Sequence, residues 1–171
     1  MRKFPGKTAK FIRRTGLISV PFLSFLLVSC GNGKEELKYY SNLLGVDLRS
    51  GEVVSYEDNH GGFLGDGFML CITKYVDNKV ENQIKKSDKF NQYPLSQNLS
   101  IFLYGENDNG PFDSSLKVPK FNNGYFYFKN RHSDAKHKTT DEDLFDTVSF
   151  NFSFVLYDCD AYLAYICDYD T

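Results

Sequence analysis

Four familiar signatures are missing from this chain of 171 residues. No two of its four cysteines stand in a CxxC spacing, which argues against a thiolate zinc site. No GxSxG is present, so the nucleophile elbow of the α/β-hydrolases is lacking. Neither GxGxxG nor a glycine loop running into Lys and Ser/Thr occurs, which removes the usual phosphate cradles. Finally, no apolar run approaches the roughly twenty residues that a helix needs to span hydrocarbon.

Acidic residues are also lacking from one end. Residues 1–29 carry six basic side chains (Arg2, Lys3, Lys7, Lys10, Arg13, Arg14) and no acidic one. Behind them comes an apolar core of twelve residues, Leu17 to Val28, interrupted by Pro21. A basic segment leading into a short apolar core is the pattern of an export signal, and the cations favour the cytoplasmic side, orienting the remainder of the chain outward. Leu27-Val28-Ser29-Cys30 resembles the lipobox of bacterial lipoproteins. That resemblance implies diacylation of the Cys30 thiol and cleavage just before it, for which a thiolate is a far better nucleophile than a hydroxyl. The expected organisation is therefore a signal peptide over 1–29, a flexible tether over 30–33, and a single extracytoplasmic domain over 34–171.

Residues 30–171 carry 14 basic and 22 acidic side chains, a net charge of -8. Such a domain is repelled by nucleic acid and by anionic lipid headgroups. The whole chain is 42% hydrophobic and 16% aromatic, a globular composition, and no repeat or second linker divides the outer part.

Leu37, Tyr40, Leu43 and Leu44 share a helical face that ends at Gly45. Val53–Glu57 and Phe68–Val76 read as strands. Asn78 and Glu81 have capping-box spacing, predicting a second helix over 79–88. Leu99–Tyr104 and Tyr125–Lys129 read as further strands, with a Gly/Asn/Asp-rich loop over 105–115. Val148, Phe150, Phe152, Phe154 and Leu156 alternate with Ser149, Asn151 and Ser153, predicting a strand with one buried and one wetter face. Asp158-Cys159-Asp160 then turns the chain into a returning strand over 161–169. Two helices and five or six mostly consecutive strands give an α+β domain with a largely antiparallel sheet. With Cys30 acylated, Cys71, Cys159 and Cys167 are an odd set. Cys159 and Cys167 would lie too far apart on the hairpin to bond, so free, mostly buried thiols are expected.

Two loops hold the candidate binding residues. The first, residues 57–67, contains His60, Gly61, Gly62 and Asp66; its glycines permit positive φ or close backbone approach. His60-Gly61-Gly62 is similar to the oxyanion loop of some α/β-hydrolases, but without the matching elbow. The second contains Arg131, His132 and Asp134 behind an aromatic strand. Ser133, His132 and Asp134 are sequence neighbours, a poor arrangement for a catalytic triad. The aspartates around 158 and 168 lack EF-hand spacing and read as hairpin punctuation. No cofactor or metal is implied.

The segments LLGVDL, HGGFLGDG, NGYFYFKNRHSD and FNFSFVLYD together resemble a family of small, uncharacterised Firmicutes-type lipoproteins, over most of residues 40–171. The resemblance implies an envelope location and no particular activity. A histidine often stands in that family where Leu64 is found here, so a paired histidine site built on His60 is excluded in this chain. The expected function is a non-catalytic module, anchored to the membrane by lipid, that binds a protein or small molecule through the two loops, which must then lie together. The alternative is an extracytoplasmic hydrolase or metal-dependent enzyme using His60, Asp66, Arg131 and His132.

Overall fold

The computed structural model describes residues 32–61, 65–106 and 109–171. Its elements run α1 (Asn32–Leu44), β1 (Glu52–Asp58), β2 (Gly67–Lys74), α2 (Lys79–Ile84), β3 (Asn91–Gln92), α3 (Gln97–Tyr104), β4 (Gly124–Asn130), β5 (Asn151–Asp158) and β6 (Leu163–Asp170). The strands form one antiparallel sheet in the order β1-β2-β6-β5-β4-β3. The domain is thus α+β, with six strands and three α-helices among the described residues.

Both faces of the sheet are covered. On one, Leu37, Tyr40 and Leu44 of α1 and Val80 and Ile84 of α2 pack on Met69, Cys71, Val155, Tyr157 and Ile166. On the other, Leu99, Phe102 and Leu103 of α3, with Leu116, Val118 and Leu144, pack on Phe68, Phe128, Phe152, Phe154 and Tyr169. Helix α1 keeps its apolar residues on one side and stops at Gly45, whose φ of +70° suits a left-handed C-terminal residue. Ser41 ties the stop together: its hydroxyl donates to the Leu37 carbonyl at 2.6 Å and accepts the Leu48 N–H at 3.0 Å.

Several expectations need correction. Leu99–Tyr104 is helix rather than strand. Leu99, Phe102 and Leu103 fall on one helical face, a pattern that a six-residue apolar run does not separate from a buried strand. The N-terminal cap of that helix comes from far away in sequence, where the Asp141 carboxylate accepts the Leu99 N–H at 2.7 Å. Helix α2 stops at Ile84 instead of residue 88, and its expected capping box does not form. Glu81 instead pairs with Lys85 at 2.6 Å. Strand β2 ends at Lys74, leaving Val76 almost fully exposed.

Strand β5 begins at Asn151, so Val148 lies outside it and is fully exposed. The alternation of Phe152, Phe154 and Leu156 is as expected, but the opposite face is not wet. Ser153 is only 3% exposed because α1 covers it. The expected tether is shortened too, since Asn32 and Gly33 already belong to α1. A β-carbon on Gly33 would stand 3.1 Å from the Val53 side chain, so the helix start lies close on β1. Cys30 and the signal segment lie outside the described residues. No described helix is long and apolar enough to cross a membrane.

Candidate functional site

Antiparallel pairing gathers five strand ends. Gly67 opens β2 opposite Asp170, Asn151 opens β5 opposite the same residue, and Asn130 closes β4 opposite Phe152. Asp58, at the end of β1, pairs with Met69. Strand alternation turns Asp168 and Asp170 to the same face as the buried Ile166, beneath α1.

The two candidate loops meet there through Asp170. His60 places Nδ1 2.8 Å from Asp58 Oδ1 and Nε2 3.2 Å from Asp170 Oδ2. Arg131 donates from Nη2 to that same Asp170 oxygen at 2.9 Å and to the Phe152 carbonyl at 3.2 Å. Its Nη2 also lies 3.6 Å from Asp168 Oδ1. Asp168 Oδ1 in turn accepts the Tyr40 hydroxyl at 2.6 Å and the Ser153 hydroxyl. A continuous polar chain therefore runs from β1 to the inner side of α1.

Electrostatics follow from this crowding. Burial disfavours the Arg131 charge, but the Asp170 hydrogen bond and nearby Asp168 override it and raise its pKa. Burial likewise works against Asp58, whose carboxyl is nonetheless lowered by hydrogen bonds from the His60 ring and backbone. Glu36 of α1 is raised, first by burial and then by the Asp168 and Asp58 charges.

The connection between β1 and β2 is fixed at its base. Asn59 donates its N–H to the Phe68 carbonyl at 3.0 Å and accepts the Phe68 N–H through Oδ1 at 2.6 Å. Gly67 has a φ of +146°, and a β-carbon there would come within 2.8 Å of Asn59 and His60 atoms, so only glycine fits. Gly61 and Asp66 face each other through a backbone hydrogen bond of 3.2 Å, and both are exposed. Gly62 lies outside the described residues, as does Leu64.

Not every candidate joins the cluster. Arg131 and His132 leave β4 on opposite sides, as successive residues of an extended chain do. His132 is 9% exposed and accepts the Asp134 N–H at Nδ1, 3.2 Å away. His132 and Asp134 line a separate cleft of about 200 Å³ with Lys136, Asp143 and Asp146. Asp143 braces that cleft by accepting the Lys136 and His137 N–H groups, each at 2.7 Å, and His137 Nδ1 at 3.0 Å.

This brace has a testable pH signature. The Asp143 hydrogen bond raises His137 above its ordinary 6.5, and His137 in turn lowers Asp143 below 3.8. The histidine contribution is full below about 6.5 and fades as pH rises through its raised folded value. The aspartate contribution is full above about 3.8 and fades as pH falls through its lowered one. The stability difference between the wild type and His137→Gln should therefore peak between about pH 4 and 6.5 and shrink above neutrality. Thermal melts across pH check it; a difference that grows above pH 7 would contradict the pairing.

Sequence reasoning passed over Asp58, Asp168, Asp170 and Tyr40, and credited Asp66, which is exposed. A signal was available. Ala164, Ile166, Asp168 and Asp170 share one face of β6, so buried apolar residues lead directly into two aspartates that must find partners.

The three thiols of the described residues are free, with Cys71 and Cys167 buried and Cys159 half-buried. Burial pushes Cys71 and Cys159 up to about 11 and Cys167 well above its usual value. Protonated at neutral pH, they are poor nucleophiles. Among the described residues no group of three or more His, Cys, Asp or Glu is arranged to hold a metal ion.

Comparison with protein families finds none that matches this chain. No curated protein is similar to it, and no solved structure matches its fold.

Proposed function

We propose that the chain is a lipid-anchored extracytoplasmic binding module, attached through Cys30 and non-catalytic. Its recognition surface is the end of the sheet where the 59–66 connection meets Arg131. The observation that carries this reading is the shared contact of His60 and Arg131 with a single oxygen of Asp170. The contact pins the glycine-rich connection to the central strand, leaving its exposed outer part, with Gly61, Gly65 and Asp66, as a presented loop.

The same contacts weigh against hydrolysis. Both ring nitrogens of His60 lie within hydrogen-bond distance of carboxylate oxygens of this chain, so each is already engaged within the fold. The Ser153 hydroxyl is buried and donates to Asp168. The outer rim carries exposed Glu57, Asp58 and Asp66, which suits a partner presenting basic groups.

The anchor reading rests on the basic segment, the short apolar core and Leu27-Val28-Ser29-Cys30; stable attachment requires two acyl chains. One experiment addresses both parts: cells expressing the chain with a photoreactive residue in place of Asp66 are fed a tagged fatty acid. The protein should carry the label, sit in the membrane fraction and cross-link from position 66. Cys30→Ala should lose the label and be released. An unlabelled wild type overturns the anchor, and a labelled protein that never cross-links from position 66 overturns the recognition surface.

A further inference from the structure

A second feature lies at the opposite end of the sheet, where β4 begins and β5 ends, on the face covered by α3. Two hollows of about 340 and 470 Å³ adjoin there, sharing Tyr104 and Lys120 as a common wall. The first is partly open to solvent and the second is a shallow, largely open depression. The first hollow is walled by Tyr93 and Phe121, stacked with ring centroids 4.6 Å apart, with Ser100 and Asn122 at its edge. The second carries Lys117 and prolines.

Charge sets this groove apart from the rest of the domain. Acidic residues outnumber basic ones by eight over residues 30–171, yet among the described residues neither hollow is lined by a carboxylate, Lys120 borders both and Lys117 lies in the second. Lys120 holds its ammonium 5.0 Å from the Tyr104 ring centroid, so the cation is parked on an aromatic face rather than in an ion pair. The Tyr104 hydroxyl donates to the Pro119 carbonyl at 3.0 Å, fixing the ridge between the hollows. Asp158, the carboxylate behind Tyr93, is buried and accepts the Asp160 and Ala161 N–H groups, so it is committed to its turn. The Tyr93 hydroxyl is buried and makes no hydrogen bond with the described residues.

We propose that this groove binds an acidic oligosaccharide, one sugar in each hollow, with its anionic groups on Lys117 and Lys120. Saccharide C–H groups can pack on the aromatic rims that Tyr93, Phe121 and Tyr104 turn to the groove, while their hydroxyls need both donors and acceptors; Ser100 and Asn122 supply both. Carboxylates or phosphates on the sugars make charge-assisted hydrogen bonds with the lysines. Two adjoining hollows on either side of Tyr104 fit a repeating ligand, whereas a single planar acid would occupy one and leave the other empty. Nucleic acid needs far more cations than two against a net charge of -8. The proposal is independent of the sheet-end surface described above.

Calorimetric titration of the purified full chain with a galacturonic acid hexamer tests it, with a neutral maltohexaose, benzoate and inorganic phosphate as comparators. The acidic hexamer should bind saturably and more weakly as salt rises, and the neutral one at least tenfold more weakly. Lys117→Gln with Lys120→Gln should reduce binding at least tenfold with an unchanged melting temperature. Phe121→Leu should weaken both saccharides alike, while Arg131→Lys at the far end should leave binding unaltered. No saturable binding overturns the proposal. Equal affinity for the neutral hexamer, or for benzoate or phosphate alone, also overturns it, as does full binding by the double lysine variant.

Discussion

Phe152→Ala should destabilise the domain by about 3–5 kcal/mol, the range for removing a fully buried phenylalanine and leaving a cavity. Phe152 is 0% exposed and stands at the centre of an aromatic cluster. Its ring lies 5.0 Å from Phe102 edge-on, 5.4 Å from Tyr169 and 5.5 Å from Phe128. These rings come from α3, β6 and β4, elements that cannot all shift inward together, so the cavity will not collapse. Val148→Ala is the internal comparison. That side chain is fully exposed, and its loss should stay within about 0.5 kcal/mol. Urea melts of both variants decide it; a Phe152→Ala loss below about 1 kcal/mol would mean that the β5 register is wrong.

Gly124→Ala should be as damaging for a different reason. Gly124 opens β4 opposite Asp158, and an added β-carbon would fall far inside contact distance of the Tyr157 carbonyl oxygen. It would also stand 2.8 Å from the Phe121 ring. The ring can swing away, but the carbonyl belongs to the paired strand and moves only if the β4–β5 ladder opens. The expected loss reaches or exceeds the upper end of the roughly 1–3 kcal/mol that overpacking costs. Gly110→Ala, where a β-carbon meets no atom of the described residues within 4 Å, should be nearly neutral in the same melts. Similar midpoints for the two variants would refute the close approach.

What was legible in the sequence was whatever local spacing determines. The 3.6-residue spacing of Leu37, Tyr40 and Leu44 and the two-residue spacing of Phe152, Phe154 and Leu156 gave α1 and β5 directly, and the aspartate turn gave the β5–β6 hairpin. What was not legible depends on partners remote in sequence. Asp141 caps α3 from a different loop, and the short apolar run Leu99–Tyr104 did not by itself separate a helix from a buried strand. Ser153 reads as a wet-face residue until α1 is laid over it. The site divides in the same way. His60 and Arg131 stood out as polar residues in loops, but Asp168 and Asp170 looked like strand ends. Their role appears only when β6 is placed between β2 and β5. His132 and Asp134 were grouped with Arg131 by adjacency, which strand alternation undoes.

The position of β6 has a consequence for how the molecule is made. Its residues, Leu163–Asp170, pair with β2 on one side and β5 on the other, and contribute to both apolar layers. A chain synthesised from its N-terminus therefore exposes the inner faces of α1, α2 and α3 and an unpaired edge of β2 until Asp170 has emerged. Partial chains of this kind adhere to one another through bare strand edges. Completion of the sheet is consequently a late step, since the β1–β2 and β4–β5 halves are joined only when β6 slides into the gap between them.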